Sequence, residues 1–269
     1  MKLLALLISF ALFHIISKPP FLQSFAWLNG LKQRCLNSGL LNQPWLQTVV
    51  IFSPIILFTG LISYWLHQYH SHLVWYLLFN CLVLFYCLGP EQLEHHVALQ
   101  TELDDGIEPA VKNQQLVIKR LTEEALQRWF AVFFWFVVFG AAGALTYRLF
   151  RQSLAAEDKE ATVVRPQIIH IVYLLEYPVT FLMAFSLLIA SDFDRIWHHC
   201  QNYFKQPQWY QHNRQFLVES MNFAVENCEI EADKPYSQQV LEQTTLSVLK
   251  RMLMVWLVLV ALIVLLTIG

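Results

Sequence analysis

Glu176 is an ionisable side chain inside an otherwise apolar run, Ile168–Ala190, and Tyr177-Pro178 follow it directly. If this run crosses a membrane, a charge there is costly, and residues of this kind usually serve a function. The alternative is that the run does not fully cross and that Glu176 lies at a solvated bend near the proline. In either case Glu176 is a candidate ligand-binding residue.

Glu91 and His95 form a second candidate site. They are four residues apart, so a helix would place them on one face, and they follow the helix-breaking pair Gly89-Pro90. A carboxylate beside an imidazole can bind a metal or exchange a proton, and it can equally form a simple ion pair. Arg128 and Arg148 complete the set of candidate ligand-binding residues, because they lie at the two ends of a long apolar run.

Patterns typical of metal and cofactor sites are weak in this sequence. His67, His70 and His72 could bind a transition metal, but no carboxylate or thiolate lies near them in the sequence to complete the ligand set. The five cysteines contain no CxxC pair. No phosphate-binding GxxxxGK[ST] loop, GxSxG turn or HExxH helix occurs. We therefore predict no metal site and no cofactor.

Long apolar runs must position these side chains. The sequence is 56% hydrophobic and only 14% charged, whereas soluble domains are roughly 25% charged. A helix needs about 20 apolar residues to cross a hydrocarbon core of about 30 Å, and its backbone groups must bond within the helix there. Besides Ile168–Ala190, the clearest runs are Val49–Trp65, Leu73–Leu88, Phe130–Leu149 and Met252–Ile268.

These runs predict an all-α fold, a polytopic transmembrane helical bundle of about 4–6 membrane segments, in one domain that covers residues 1–269. Met1–Ile16 has the charge and apolar run of a signal peptide, but no small-residue cleavage site follows it. We interpret it as an uncleaved short first span or as a half-helix in the membrane. The basic loops disagree on an orientation, so the topology stays open.

Polar helices are expected between the apolar runs. Segments 90–128 and 191–250 carry apolar residues at helical spacing, which predicts amphipathic helices packed at the membrane face. Lys250 and Arg251 stand directly before the last run and would anchor it at the membrane surface. The lipid bilayer is thus a predicted partner. The net charge of -2 argues against a nucleic-acid partner, which needs a basic surface.

Small residues are concentrated in the second half of the Phe130–Leu149 run, at Gly140, Ala141, Gly143 and Ala144. Such residues allow close helix packing in membranes. The alternative is that they mark a break at which the backbone lines a site.

The stretch Arg128–Trp135, which runs into Gly140–Arg148, resembles the signature of the AmpE family of inner-membrane proteins linked to β-lactamase induction. Leu93-Glu94-His95-His96, the stretch Leu174–Pro178 and the polar segment before a single last span are also similar to that family. The resemblance implies a multi-pass protein of the bacterial inner membrane with a sensory or modulatory role. Its partner would be an unknown small ligand, such as a cell-wall fragment, or another protein.

The same residues are similar to the wider superfamily of CobD/CbiB membrane enzymes, which implies an alternative function as an amide-forming synthase that uses ATP and magnesium. The Asp-Gly of those enzymes corresponds here to Gln127 and Arg128, and their Asn-Thr-Leu-Asp to Leu149-Phe150-Arg151. Their Pro-Ala-Arg corresponds to Pro178-Val179-Thr180. Because the obvious carriers of ATP and metal binding are missing, we expect an AmpE-like modulator rather than an enzyme. A small transporter or channel ranks last, because the runs contain few polar residues.

Overall fold

The computed structural model describes residues 2–15, 44–68, 73–88, 110–155, 165–191, 193–205, 213–230 and 238–268. These segments are helical apart from single turn or bend residues, which confirms the predicted all-α fold for the described part of the chain. The helices are α1 (Lys2–Ile15), α2 (Pro44–Gln68), α3 (Leu73–Leu88), α4 (Ala110–Ala125), a π-helical turn (Leu126–Phe130), α5 (Ala131–Phe139), α6 (Ala141–Ala155), α7 (Arg165–Ala190), α8 (Phe193–Phe204), α9 (Asn213–Ile230) and α10 (Gln238–Ile268).

Two of the described helices are long and apolar enough to cross a membrane. They are Ile168–Ala190 within α7 and Val240–Leu262 within α10, with mean hydropathies of 1.8 and 1.9. Shorter apolar stretches, Phe52–Leu66 and Val74–Leu88, lie in α2 and α3. α1 is 14 residues long, which is shorter than the roughly 20 residues of a full span.

The apolar run Phe130–Leu149 is interrupted at its small residues, where a break was one of the two alternatives. Phe130 closes the π-helical turn, α5 ends at Phe139, and α6 begins at Ala141. Between them Gly140 has a φ of 71°, in the left-handed region that glycine enters without the steric penalty of a Cβ. Its N–H donates to the carbonyl of Phe136 at 2.8 Å. This is the single-bond glycine cap that commonly ends a helix.

Contacts divide the chain into two compact units, and the first comprises Met1–Pro90 and Ala131–Glu176. α6 is central to this unit because it packs against α2, α3 and α5. Phe52 of α2 meets Phe150 of α6 edge to face, with ring centroids 5.2 Å apart. α1 packs on α3, where the Ser9 hydroxyl donates to the carbonyl of Cys81 at 3.3 Å. A core of buried apolar side chains thus surrounds α6.

The second unit comprises Glu91–Phe130 and Tyr177–Gly269. Its helices α4, α9 and α10 pack on one another, and α8 packs on α9. The predicted polar helices are found here: α4 lies within segment 90–128, and α8, α9 and the start of α10 lie within segment 191–250. Their position at a membrane face stays a prediction, as does the grouping of the whole chain into one domain.

Alkaline solution is expected to destabilise this unit through two side chains of α8. Burial raises the pKa of the Cys200 thiol above its ordinary value of 9.0. Burial, the Glu219 carboxylate and Tyr177 raise the pKa of the Tyr203 phenol above 10.0. The unfolded chain therefore releases these protons first as the pH rises, so the free energy of unfolding falls above about pH 9. Denaturant titrations between pH 8 and 11 would show this fall, and the double variant Cys200→Ser/Tyr203→Phe should flatten it.

Candidate functional site

A buried carboxylate and a buried phenol meet inside the first compact unit. The Tyr147 hydroxyl of α6 donates to Oε1 of Glu176 in α7 at 2.9 Å, and both residues are 0% exposed. Burying a carboxylate is expensive unless hydrogen-bond donors replace the lost water. The phenol of Tyr147 supplies such a donor. We name Tyr147 and Glu176 the buried polar pair.

The corner between α5 and α6 places Tyr147 in this position. Gly140 breaks the helix at its positive φ, and Gly143 then lies against the end of α5. A Cβ on Gly143 would overlap the carbonyl oxygen of Trp135 and would come 2.7 Å from the Cβ of Phe139. Glycine is therefore required by close approach at this position. The small-residue motif shapes a corner, with Ala141 and Ala144 both fully buried beside it.

Pro178 interrupts the backbone hydrogen bonding of α7 next to Glu176. Proline has no N–H, so the carbonyl four residues earlier, that of Leu174, loses its usual helical donor. Within the same turn the carbonyl of Leu175 accepts a hydrogen bond from the indole Nε1–H of Trp135 at 3.1 Å. The Trp135 ring is stacked on Phe139 with centroids 5.6 Å apart. The corner at Gly140 thus contributes two side chains, Trp135 and Tyr147, to the turn that carries Glu176.

Arg148 follows Tyr147 on α6 and is only 9% exposed. Its guanidinium acts electrostatically on the buried thiol of Cys87 in α3, which agrees with the packing of α3 on α6. The predicted candidate residues Arg148 and Glu176 therefore lie in the same compact unit. Tyr147 directly precedes Arg148 in the sequence, and its hydroxyl donates a hydrogen bond to Glu176.

Arg128 lies in the π-helical turn of the second unit and forms an ion pair within its own helix. Its Nε is 2.6 Å from Oε2 of Glu124, one turn earlier. π-helical turns inside α-helices are often found at functional sites, and this turn also buries Gln127, which is 8% exposed. The resemblance placed Gln127 and Arg128 where the synthases carry Asp-Gly, and neither side chain is an acid.

Replacing Glu124 with glutamine is expected to change the free energy of unfolding by about 0.5 kcal/mol or less, because helix-surface ion pairs contribute little. The Glu124 side chain is 32% exposed, so water screens the pair. Denaturant titration in detergent would measure the change, with Glu123→Gln on the same helix as the control. A loss above about 2 kcal/mol for Glu124→Gln alone would contradict this assignment, since it would require a buried charge network.

Glu91 and His95 lie outside the described residues, as do His70 and His72 of the predicted histidine cluster. They stay predictions. Within the part of the chain that the structure describes, no three His, Cys, Asp or Glu residues are grouped so that they could hold a metal ion.

No family model, no curated protein and no solved structure matches the chain. The AmpE-family assignment therefore stays a prediction that rests on the residues quoted for it.

Sequence reasoning selected Glu176 but did not select Tyr147 or Trp135. Both lie inside the stretch that carries the AmpE resemblance, and the resemblance assigned no function to either side chain. A carboxylate in an apolar run needs a hydrogen-bond donor. A search of the other apolar runs for a hydroxyl group could therefore have found Tyr147. Tyr147 supplies a phenol near the end of a different apolar run, Phe130–Leu149, directly before Arg148.

Proposed function

We propose that this chain is a multi-pass protein of the bacterial inner membrane, AmpE-like, that modulates β-lactamase induction by binding a ligand related to cell-wall turnover. The observation that carries the proposal is the buried polar pair. A carboxylate that is fully buried in a helix of 26 residues costs stability, and proteins retain such groups in membranes chiefly for function. Arg148, the residue after Tyr147 on α6, would supply a positive charge for an anionic cell-wall fragment.

Exposed apolar side chains support embedding in a bilayer by about 4–6 segments. α2 exposes Leu57, Phe58 and Leu61 by 63%, 67% and 66%, and α3 exposes Val74 by 73%. Large contiguous apolar surfaces are rare on soluble proteins and mark contact with a partner or a membrane. Lipid would cover these faces of α2 and α3, which would add them to the two longer helices as membrane segments.

The residues at the π-helical turn favour a modulator over a CobD/CbiB-type synthase. ATP with magnesium is bound by carboxylates and by substrate phosphates together. The corresponding positions here are the uncharged Gln127 and the cation Arg128, which pairs with Glu124. The chain therefore lacks acids at the positions where the synthase would need them.

Thermal stability of the detergent-purified protein tests ligand binding. A ligand that binds only the folded state stabilises it by about 2.7 kcal/mol at a hundredfold excess over its dissociation constant. We expect muropeptide fragments to raise the melting temperature of the wild type and of Glu123→Gln, and to raise that of Glu176→Gln less. A shift that requires ATP and magnesium would contradict the proposal in favour of the synthase. A melting-temperature shift of equal size in Glu176→Gln would show that the buried polar pair is not part of the ligand site.

A further inference from the structure

Helix α10 has two faces of different chemistry. One face is buried and packs against α4 and α9, with residues such as Leu241, Thr245, Met252 and Trp256 at helical spacing. The opposite face is exposed, and its chemistry changes along the helix. It is polar first, then basic, then apolar, in the order Gln243, Ser247, Lys250, Arg251, Met254, Val258 and Leu262.

The apolar part of the exposed face follows a regular spacing. Met254, Val258 and Leu262 are four residues apart, and they are 69%, 59% and 50% exposed. Residues at this spacing form one stripe along a helix. Lys250 and Arg251 stand at the N-terminal end of the stripe, about one turn from Met254.

A hollow of about 790 Å³ lies along the basic part of this face. Its lining contains two cations, Lys250 and Arg251, one carboxylate, Glu242, and Met254 at the apolar end. Glu242 precedes Lys250 by eight residues, which is about 12 Å along a helix. Among the described lining residues, the carboxylate therefore lies toward the polar end of the face and the two cations lie toward its apolar end.

We propose that the exposed face of α10 binds an anionic phospholipid. Lys250 and Arg251 contact its headgroup phosphate, and its acyl chains lie along Met254, Val258 and Leu262. Lysine and arginine next to a membrane attract anionic lipids, and their long aliphatic stems lie on apolar surface while the charges reach the phosphates. The site rests on the membrane embedding proposed above and adds a specific lipid class to it.

The order of side chains along α10 favours a lipid over other anionic partners. A bilayer changes from water to charged headgroups to hydrocarbon over a short distance, and the exposed face changes from polar to basic to apolar in the same direction. An acidic peptide would account only for the two cations, Lys250 and Arg251. It would leave the stripe from Met254 to Leu262 uncovered.

Lipid retention in nanodiscs tests the site on the full-length protein. The wild type is inserted into discs of phosphatidylcholine and phosphatidylglycerol, and the lipids retained after mild delipidation are counted by native mass spectrometry. We expect enrichment of phosphatidylglycerol on the protein, with a contribution of about fivefold from each basic residue. Lys250→Gln/Arg251→Gln should lose roughly thirtyfold in this preference. The charge-preserving swap Lys250→Arg/Arg251→Lys should retain it.

Lys119→Gln/Lys205→Gln is the matched control, because it removes two exposed lysines elsewhere in the same unit. It should keep the wild-type preference. If the double variant of α10 does not fold, the single variants Lys250→Gln and Arg251→Gln carry the test, with a loss of about fivefold each.

Three outcomes overturn the site. In the first, the wild type inserts into the discs and shows no preference for phosphatidylglycerol. In the second, the Lys250→Gln/Arg251→Gln variant keeps the preference. In the third, millimolar inorganic phosphate abolishes the preference, which would indicate a site for a free anion. A wild type that fails to insert into the discs would overturn both this site and the membrane embedding on which it rests.

Discussion

Gly143→Ala is expected to destabilise the protein by about 1–3 kcal/mol, the cost of inserting a methyl group into a well-packed site. The new Cβ would overlap the carbonyl oxygen of Trp135, and a backbone oxygen cannot move aside as a flexible side chain can. The corner between α5 and α6 would have to open. Denaturant titration in detergent would measure the lost free energy of unfolding, and the shift in melting temperature would follow it.

Gly60→Ala is the matched control for this substitution. Gly60 lies inside α2, and a Cβ there would meet no atom within 4 Å. Alanine restricts the unfolded chain more than glycine, so the control should be neutral or stabilising by about 0.4–1 kcal/mol. Equal losses in the two variants would contradict the close approach at Gly143, since a Cβ at Gly60 meets no atom within 4 Å.

Tyr147→Phe is expected to cost about 1–3 kcal/mol or more, because the buried Glu176 carboxylate then loses a donor that replaced water. The phenyl ring keeps the shape of the site, so the loss reports the hydroxyl rather than a cavity. Tyr64→Phe serves as the control. Tyr64 is 66% exposed, and removing an exposed hydroxyl should change the free energy of unfolding by no more than about 0.5 kcal/mol.

A double-mutant cycle separates the pair from its surroundings. Replacing both partners by apolar side chains can be nearly neutral, whereas removal of one leaves the other buried without it. Tyr147→Phe/Glu176→Leu should therefore be less destabilised than the sum of the two single variants, by about 0.5–3 kcal/mol. Additive losses would show that the phenol and the carboxylate do not act together.

The helical fold could be predicted because its signals are local. Apolar positions in α4, such as Val117, Leu121 and Ala125, recur at helical spacing, and the same residues are buried in the structure. Glu176 could be selected for a similar reason, because one charge in an apolar run is visible without knowledge of its neighbours.

The corner and the donor to Glu176 could not be predicted, because both depend on contacts between distant residues. Gly140 and Gly143 have the same residue type as the small residues of packed membrane helices. Only the φ of Gly140 and the nearness of Trp135 to Gly143 reveal the corner between α5 and α6. Tyr147 is 29 residues from Glu176 in the sequence, so its hydrogen bond appears only when α6 and α7 are placed together.

β-Lactamase induction in cells tests the central claim most directly. A strain with inducible β-lactamase and a deleted copy of the gene for this chain would be complemented with the wild type, Glu176→Gln or Glu123→Gln, with membrane levels of each protein matched by immunoblot. The proposal predicts that wild type and Glu123→Gln restore the induction response to a β-lactam, while Glu176→Gln does not. Equal induction in the deleted strain and in all three complemented strains would contradict the proposed function.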